Sequence, residues 1–225
     1  AQNTAASGKT VVNGSLFALL ERLDTAFLKT LQQIDPHTQE YVTRLSDDPD
    51  FITLAKDMLT YQLSIADQSN AAKTAHLIIS HMYFKHYESV SKGDVVTTKR
   101  VDHTKELQKY ASIIYQSGGA RRKAQAMLMC IYQYALQDSF FEARDRMLMS
   151  HLQEKASLMD IETQILFNRT NVQIGLCAFR NGLLKEAHSI LSEIYAGGRV
   201  KELLGQGTSS QRYQDKDKEQ EKVEK

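Results

Sequence analysis

From Asp50 to Lys225 the sequence contains no proline; its only two are Pro36 and Pro49. A proline inside a helix costs about 3 kcal/mol, so long helices are open to the whole stretch. The apolar spacing fills that opening. Leu16, Leu20, Leu23, Phe27, Leu31 and Ile34 recur at three- and four-residue steps, which puts them on one helical face. Asp35-Pro36 ends this helix, because the residue before proline disfavours the helical region. Asp47-Asp48-Pro49 opens the next with an acidic cap and proline in the first turn. Ile52, Ala55 and Leu59 follow on one face, and Ala72, Ala75, Ile79, Met82 and Tyr83 mark a further helix.

Ser89–Thr98 breaks the period: Gly93 and the pair Val95-Val96 fit a loop or a short strand. Leu107, Tyr110 and Ile114 resume it, and Gly118-Gly119 stops it. Later helices are predicted around Ala124, Met127, Ile131 and Ala135, around Met147, Leu148 and His151, and around Ile165, Val172, Leu176 and Phe179. Leu184, Ala187, Leu191 and Ile194 form another, closed by Gly197-Gly198, and Val200, Leu203 and Leu204 make a last apolar turn.

Short helices with short breaks invite a search for repeats. Gln137-Asp138-Ser139-Phe140-Phe141-Glu142-Ala143 aligns with Asn181-Gly182-Leu183-Leu184-Lys185-Glu186-Ala187, 44 residues on. Gly175, Gly182 and Ala187 have the spacing of small residues in tetratricopeptide repeats, where two helices must approach closely. Ala143 holds the place of Ala187 in the earlier copy. The expected fold is therefore all-α: a right-handed solenoid of tetratricopeptide-like helical pairs, looser than the 34-residue type. Its domain spans 14–207. Residues 1–13 are expected to be a flexible leader, and 208–225 a polar tail or solvated helix with five basic and five acidic residues.

Composition narrows the function. With 28 basic and 27 acidic residues the chain is neither a basic nucleic-acid wrapper nor an acidic disordered tail. No apolar run approaches the roughly 18 residues that span a bilayer, and residues 1–13 lack the basic start and apolar centre of a secretory leader. Cys130 and Cys177 sit in apolar helical patterns and read as reduced core residues of an intracellular protein. The first residue is not Met and the last six end in mid-pattern, which reads as a piece of something longer.

No catalytic constellation is evident. His76, His81 and His86 step by five, turning about 140° each time, so they share no helical face. No histidine or cysteine pair has metal-ligand spacing, and the glycine pairs lack a phosphate-loop context. Neither a metal, a cofactor nor a small-molecule substrate is expected. The methionines Met127, Met129, Met147 and Met149 read as core filling.

Charge distribution says more. Residues 1–70 carry 5 basic and 9 acidic side chains, whereas 99–125 carry 7 basic and 2 acidic. The basic set is Lys99, Arg100, Lys105, Lys109, Arg121, Arg122 and Lys123. Lys105 and Lys109 lie one turn apart on one face. Arg121-Arg122-Lys123 opens a helix, where positive charge opposes the helix dipole. A locally unfavourable cluster calls for another reason, and contact with phosphate is one. Aromatic residues do not interleave with it, so base stacking is not indicated.

Long collinear segments carry a resemblance. Phe141-Glu142-Ala143-Arg144-Asp145-Arg146-Met147-Leu148-Met149-Ser150-His151-Leu152-Gln153 resembles a signature of the c-type subunit of eukaryotic translation initiation factor 3. Gln164-Ile165-Leu166-Phe167-Asn168-Arg169-Thr170, Gly175-Leu176-Cys177-Ala178-Phe179-Arg180, Lys201-Glu202-Leu203-Leu204-Gly205-Gln206-Gly207 and Glu219-Gln220-Glu221-Lys222-Val223-Glu224 continue it in order. Gln39-Glu40-Tyr41-Val42 extends it more thinly, and residues 50–118 match mainly in pattern.

The resemblance implies a cytoplasmic scaffold subunit of a large factor that binds the small ribosomal subunit and organises initiation complexes. It implies a helical-repeat arm leading into a winged helix, together called a PCI module, with this chain covering the arm. The implied partners are other initiation factor 3 subunits and the small ribosomal subunit, both its proteins and its RNA backbone; the family brings no catalytic residue. Two further readings stay open. One is a PCI-type scaffold of another assembly, such as the proteasome lid. The other is a tetratricopeptide receptor for short peptides, for which Asn168 and Asn171 speak.

Overall fold

The computed structural model describes residues 2–4, 10–12, 14–92, 95–100, 102–155 and 158–196. Helices dominate them. The expected last turn at Val200–Leu204, the glycine pair at 197–198 and the tail 208–225 lie outside the described residues. The chain divides into two compact units, residues 1–78 and 79–225, and the division falls within one helix.

The first unit begins with a small antiparallel hairpin, β1 (Gln2–Thr4) and β2 (Thr10–Val12), within the segment read as a flexible leader. Helix α1 (Leu16–Gln33) starts at Ser15, whose hydroxyl accepts the Ala18 amide at 3.2 Å. It ends at Ile34, which turns extended ahead of Asp35-Pro36. Of the face expected from its spacing, Leu20 is buried and Leu23 is exposed. After α2 (Gln39–Leu45), Asp48-Pro49-Asp50 opens α3 (Asp48–Ser64). Phe51 of α3 stacks on Phe27 of α1 at 6.3 Å. Helix α4 (Gln68–Met82) buries Ala71, Ala72 and Ala75 as this unit's small-residue seam, and its Lys73 sits over the Phe17 ring.

The second unit opens with a hairpin where the helical period fails. β3 (Tyr87–Lys92) pairs antiparallel with β4 (Val95–Arg100), Tyr87 opposite Arg100 and Lys92 opposite Val95. β-branched Val95, Val96, Thr97 and Thr98 favour this strand. Then come α5 (Thr104–Ser117), α6 (Ala120–Leu136), α7 (Phe140–Ser150), the short α8 (Leu152–Lys155), α9 (Ile161–Arg180) and α10 (Leu184–Ala196). Helix α6 packs on α5, α7 and α9, and α9 packs on α10. Gly118 ends α5 in an extended conformation, not the left-handed one expected of a glycine stop. A Cβ there would lie 2.5 Å from the Ile114 carbonyl oxygen.

Three helix–helix junctions share one geometry. At α3–α4, α6–α7 and α9–α10 a left-handed residue follows the first helix: Ala66 (φ 62°), Asp138 (φ 62°) and Gly182 (φ 76°). The amide after it reaches back five residues: Asp67 to Gln62 (3.1 Å), Ser139 to Tyr134 (3.1 Å) and Leu183 to Ala178 (2.9 Å). The left-handed residue's own amide bonds three back, to Leu63, Ala135 and Phe179. This pair of bonds is a Schellman motif, which satisfies carbonyls left over at a helix end. In each case an alanine closes the first turn of the second helix and is buried: Ala71, Ala143 and Ala187. The segments 137–143 and 181–187 aligned in the sequence each hold one of these junctions, and the third, at Ala66–Ala71, lies outside that alignment.

The face expected on α9 is not the one it buries. Ile165 is buried, but Leu176 and Phe179 are 41% and 62% exposed, whereas Thr163, Phe167, Thr170, Ile174 and Cys177 point inward. Packing against α6 on one side and α10 on the other buries a broad, partly polar face. Met129 and Met147 fill the core as expected; Met149 departs from that expectation at 79% exposure.

Candidate nucleic-acid interface

The seven basic positions divide between two places. Lys99 and Arg100 close β4, with Lys99 in register opposite Glu88. Asp102 follows; its carboxylate accepts the Thr104 amide at 2.9 Å, and the hydrogen bonds from Thr104 pull its pKa down. Exposed Lys105 and Lys109 then project from α5, one turn apart. Arg121, Arg122 and Lys123 begin α6 instead. Only Gly118 and Gly119 link α5 to α6, and Gln108 near the start of α5 bonds the Tyr134 hydroxyl near the end of α6, so the two helices are antiparallel. The α6 cluster therefore sits at the far end of α5, about 21 Å from its start for a helix of this length.

Arg121 has carboxylate partners. Its guanidinium meets Asp160 at 2.9 Å and also bonds Glu162. Asp160 caps α9, accepting the Thr163 amide and, at 2.7 Å, the Thr163 hydroxyl; Glu162 stands in the first turn. Carboxylates at a helix N-terminus favour the dipole, and Arg121 ties them to the start of α6. This cross-helix bond supplies a reason for an arginine at a position that opposes its own helix dipole. Asp160 and Glu162 lie about forty residues away in sequence, so no local pattern reveals them.

The opposite ends of α6 and α9 are also tied. Arg180 donates to Asp138 at 2.6 Å and to the Ala135 carbonyl at 2.8 Å, and the Asn181 amide donates to the Asp138 carbonyl at 2.9 Å. Joined start to start and end to end, α6 and α9 run parallel.

The small residues singled out by spacing have separate roles. Gly175 faces α10: a Cβ there would lie 2.8 Å from Leu191 Cδ2 and 2.9 Å from its Cγ. Ala143 and Ala187 are buried in the first turns of α7 and α10. Gly182 touches nothing that a Cβ would meet; its place is the left-handed turn. Asn168 is buried in α9, and Asn171 lines a cleft between α7 and α10.

Among the described residues, no group of His, Cys, Asp and Glu could hold a metal ion, and no helix is long and apolar enough to cross a membrane. Cys130 and Cys177 are free and buried; burial pushes the Cys130 thiol up to about 11 and raises that of Cys177. Burial likewise raises Tyr110, to about 12, with the Glu106 carboxylate it donates to adding to the effect.

The whole chain, residues 1–225, matches the family model described as eukaryotic translation initiation factor 3 subunit 8 N-terminus. The chain belongs to the family of the C-type subunit of eukaryotic translation initiation factor 3. The C-type subunit of Aspergillus terreus is 39% identical over 247 residues, covering 100% of this chain and 29% of its own. That of Bombyx mori is 40% identical, covering 95% and 24%, and that of Dictyostelium discoideum 41% identical, covering 92% and 22%. The chain thus spans less than a third of the length of these relatives.

Proposed function

We propose that this chain is a helical scaffold arm of translation initiation factor 3, a solenoid over residues 14–207 continued by the polar segment 208–225. In this reading it works in the cytoplasm, holds other subunits of the factor, and meets the small ribosomal subunit. Membership of the initiation factor 3 family over the full chain carries the proposal. The threefold Schellman junction supports the solenoid, because a repeated junction sets a repeated angle between paired helices. No chemical step is assigned; the arm acts by shape and surface.

The RNA-facing part of the proposal rests on Lys99, Arg100, Lys105 and Lys109, with Arg122 and Lys123 as a separate second patch. These side chains would meet phosphates without reading bases. Arg121 contributes less, because Asp160 and Glu162 already occupy it.

The test is gentle purification of the tagged full-length protein from its own cells, with partners identified by mass spectrometry. Recovery of other initiation factor 3 subunits with small-subunit ribosomal proteins supports the reading. Recovery of proteasome-lid subunits, or of no stable assembly, overturns it.

A further inference from the structure

Helices α7 and α10, the second members of two successive pairs, are separated by an open cleft of about 450 Å³. Buried Phe140, Met147, Phe167 and Ile174 form its floor. Its rim on α10 is acidic: exposed Glu186 and Glu193 stand seven residues apart on the side that lines the cleft, with Ser189 and Ile190 between them. Among the described residues the only lining cation is Arg144, and it is already engaged. Its guanidinium bonds Asp145 at 2.7 and 2.9 Å and lies over the Phe140 and Phe141 rings.

We propose that this cleft receives an amphipathic helix from another polypeptide, with two adjacent apolar residues flanked by Lys or Arg. The spacing follows from α10. Seven residues of helix rise about 10.5 Å, so cations at positions i and i+7 of a helix lying alongside would face Glu186 and Glu193. Apolar residues at i+3 and i+4 fall between them, over the floor, as in helix-in-groove recognition. The acid excess selects a basic partner segment and disfavours both nucleic acid and the acidic peptide termini that a Lys/Arg groove would take. This inference rests on the scaffold reading and names the chemistry of one of its partners.

The experiment places the photo-crosslinking residue p-benzoylphenylalanine at Ser189 of the full-length protein, irradiates the purified assembly, and sequences the linked peptide. The expected product is a segment of another subunit with basic residues at i and i+7 around an apolar pair. Crosslinking should fall about tenfold in the double variant Glu186→Lys/Glu193→Lys and return when the two partner cations become Glu. Both glutamates are exposed; should the double variant fail to fold, Glu186→Gln/Glu193→Gln is expected to give about a threefold fall. A crosslink insensitive to charge reversal, one to RNA, to a second copy or within the chain, or none in an assembly containing the other subunits, overturns the proposal. If the tagged protein brings down no initiation factor subunit, the scaffold reading fails separately, and a charge-dependent crosslink to a basic amphipathic helix would still support the cleft.

Discussion

Arg180 at the end of α9 donates to Asp138 at the end of α6, 2.6 Å away. Asp138 is also the left-handed residue of the α6–α7 junction. A single carboxylate thus links the turn of one helical pair to the next pair.

That link is measurable. Arg180→Met should cost about 1–2 kcal/mol, since both Asp138 and the Ala135 carbonyl lose a charged donor, and Asp138→Asn about 0.5–1 kcal/mol. Both sites are partly exposed, with side-chain exposures of 40% and 34%, so solvent screening holds the numbers down. A double-mutant cycle by urea unfolding should give a coupling of at least about 0.5 kcal/mol; additivity would show that the two residues act independently.

Ala66→Gly should stabilise by about 0.5–1 kcal/mol. Alanine in a left-handed conformation strains its Cβ, and relief of about 1–2 kcal/mol exceeds the roughly 0.4–1 kcal/mol that glycine's extra freedom in the unfolded chain costs. The φ of 62° is the motivating observation. An unchanged or lower urea midpoint would contradict it.

Gln133 is fully buried, and among the described residues neither amide atom meets a hydrogen-bond partner. Replacement by Met keeps the length and removes the unsatisfied groups. The expected gain is about 1–2 kcal/mol, read as a raised melting temperature; destabilisation would mean that the amide has a partner in solution.

Gly175→Ala sets two terms against each other. Alanine improves helix propensity by about 1 kcal/mol, but its Cβ would sit 2.8 Å from Leu191, and overpacking costs about 1–3 kcal/mol. The net expectation is a loss of about 1 kcal/mol. In a Leu191→Ala background the obstruction is gone, and the same change should become stabilising by up to about 1 kcal/mol. The sign reversal is the diagnostic, and calorimetry of the four variants reads it.

The basic positions should separate by variant. Lys105→Glu/Lys109→Glu should leave the melting temperature within about 1 °C, because surface substitutions away from packed features change stability little. Under the proposed phosphate contact, the same pair should weaken association with the small subunit and flatten its salt dependence by about 0.7–0.9 for each phosphate no longer neutralised. Arg121→Glu should instead lower stability, by placing three carboxylates together at the start of α6. Equal salt slopes for wild type and the lysine pair would remove α5 from the interface.

Legibility of the sequence followed the range of the interactions. Proline placement and Asp48-Pro49 are local signals, and they marked helix boundaries; the aligned segments 137–143 and 181–187 each contain one of the shared junctions. The third junction escaped because Ala66 occupies a left-handed position that usually advertises itself with Gly or Asn. The buried face of α9 escaped because helices on both sides bury Thr163 and Thr170 along with its apolar residues. The one-turn spacing of Lys105 and Lys109 on α5 was readable from local periodicity. The partners of Arg121 and the separation of the two basic patches depend on α5 reversing into α6 and on α9 aligning with α6.

The paired ties of α6 and α9 have a mechanical corollary. Arg121 anchors their starts and Arg180 their ends, so a pull along the common axis loads both anchors together. A joint of that kind resists as a lap joint does, in shear along its full length, rather than opening like a zip from one end. Tension reaching this unit would pass through the helix pair as through a rigid link.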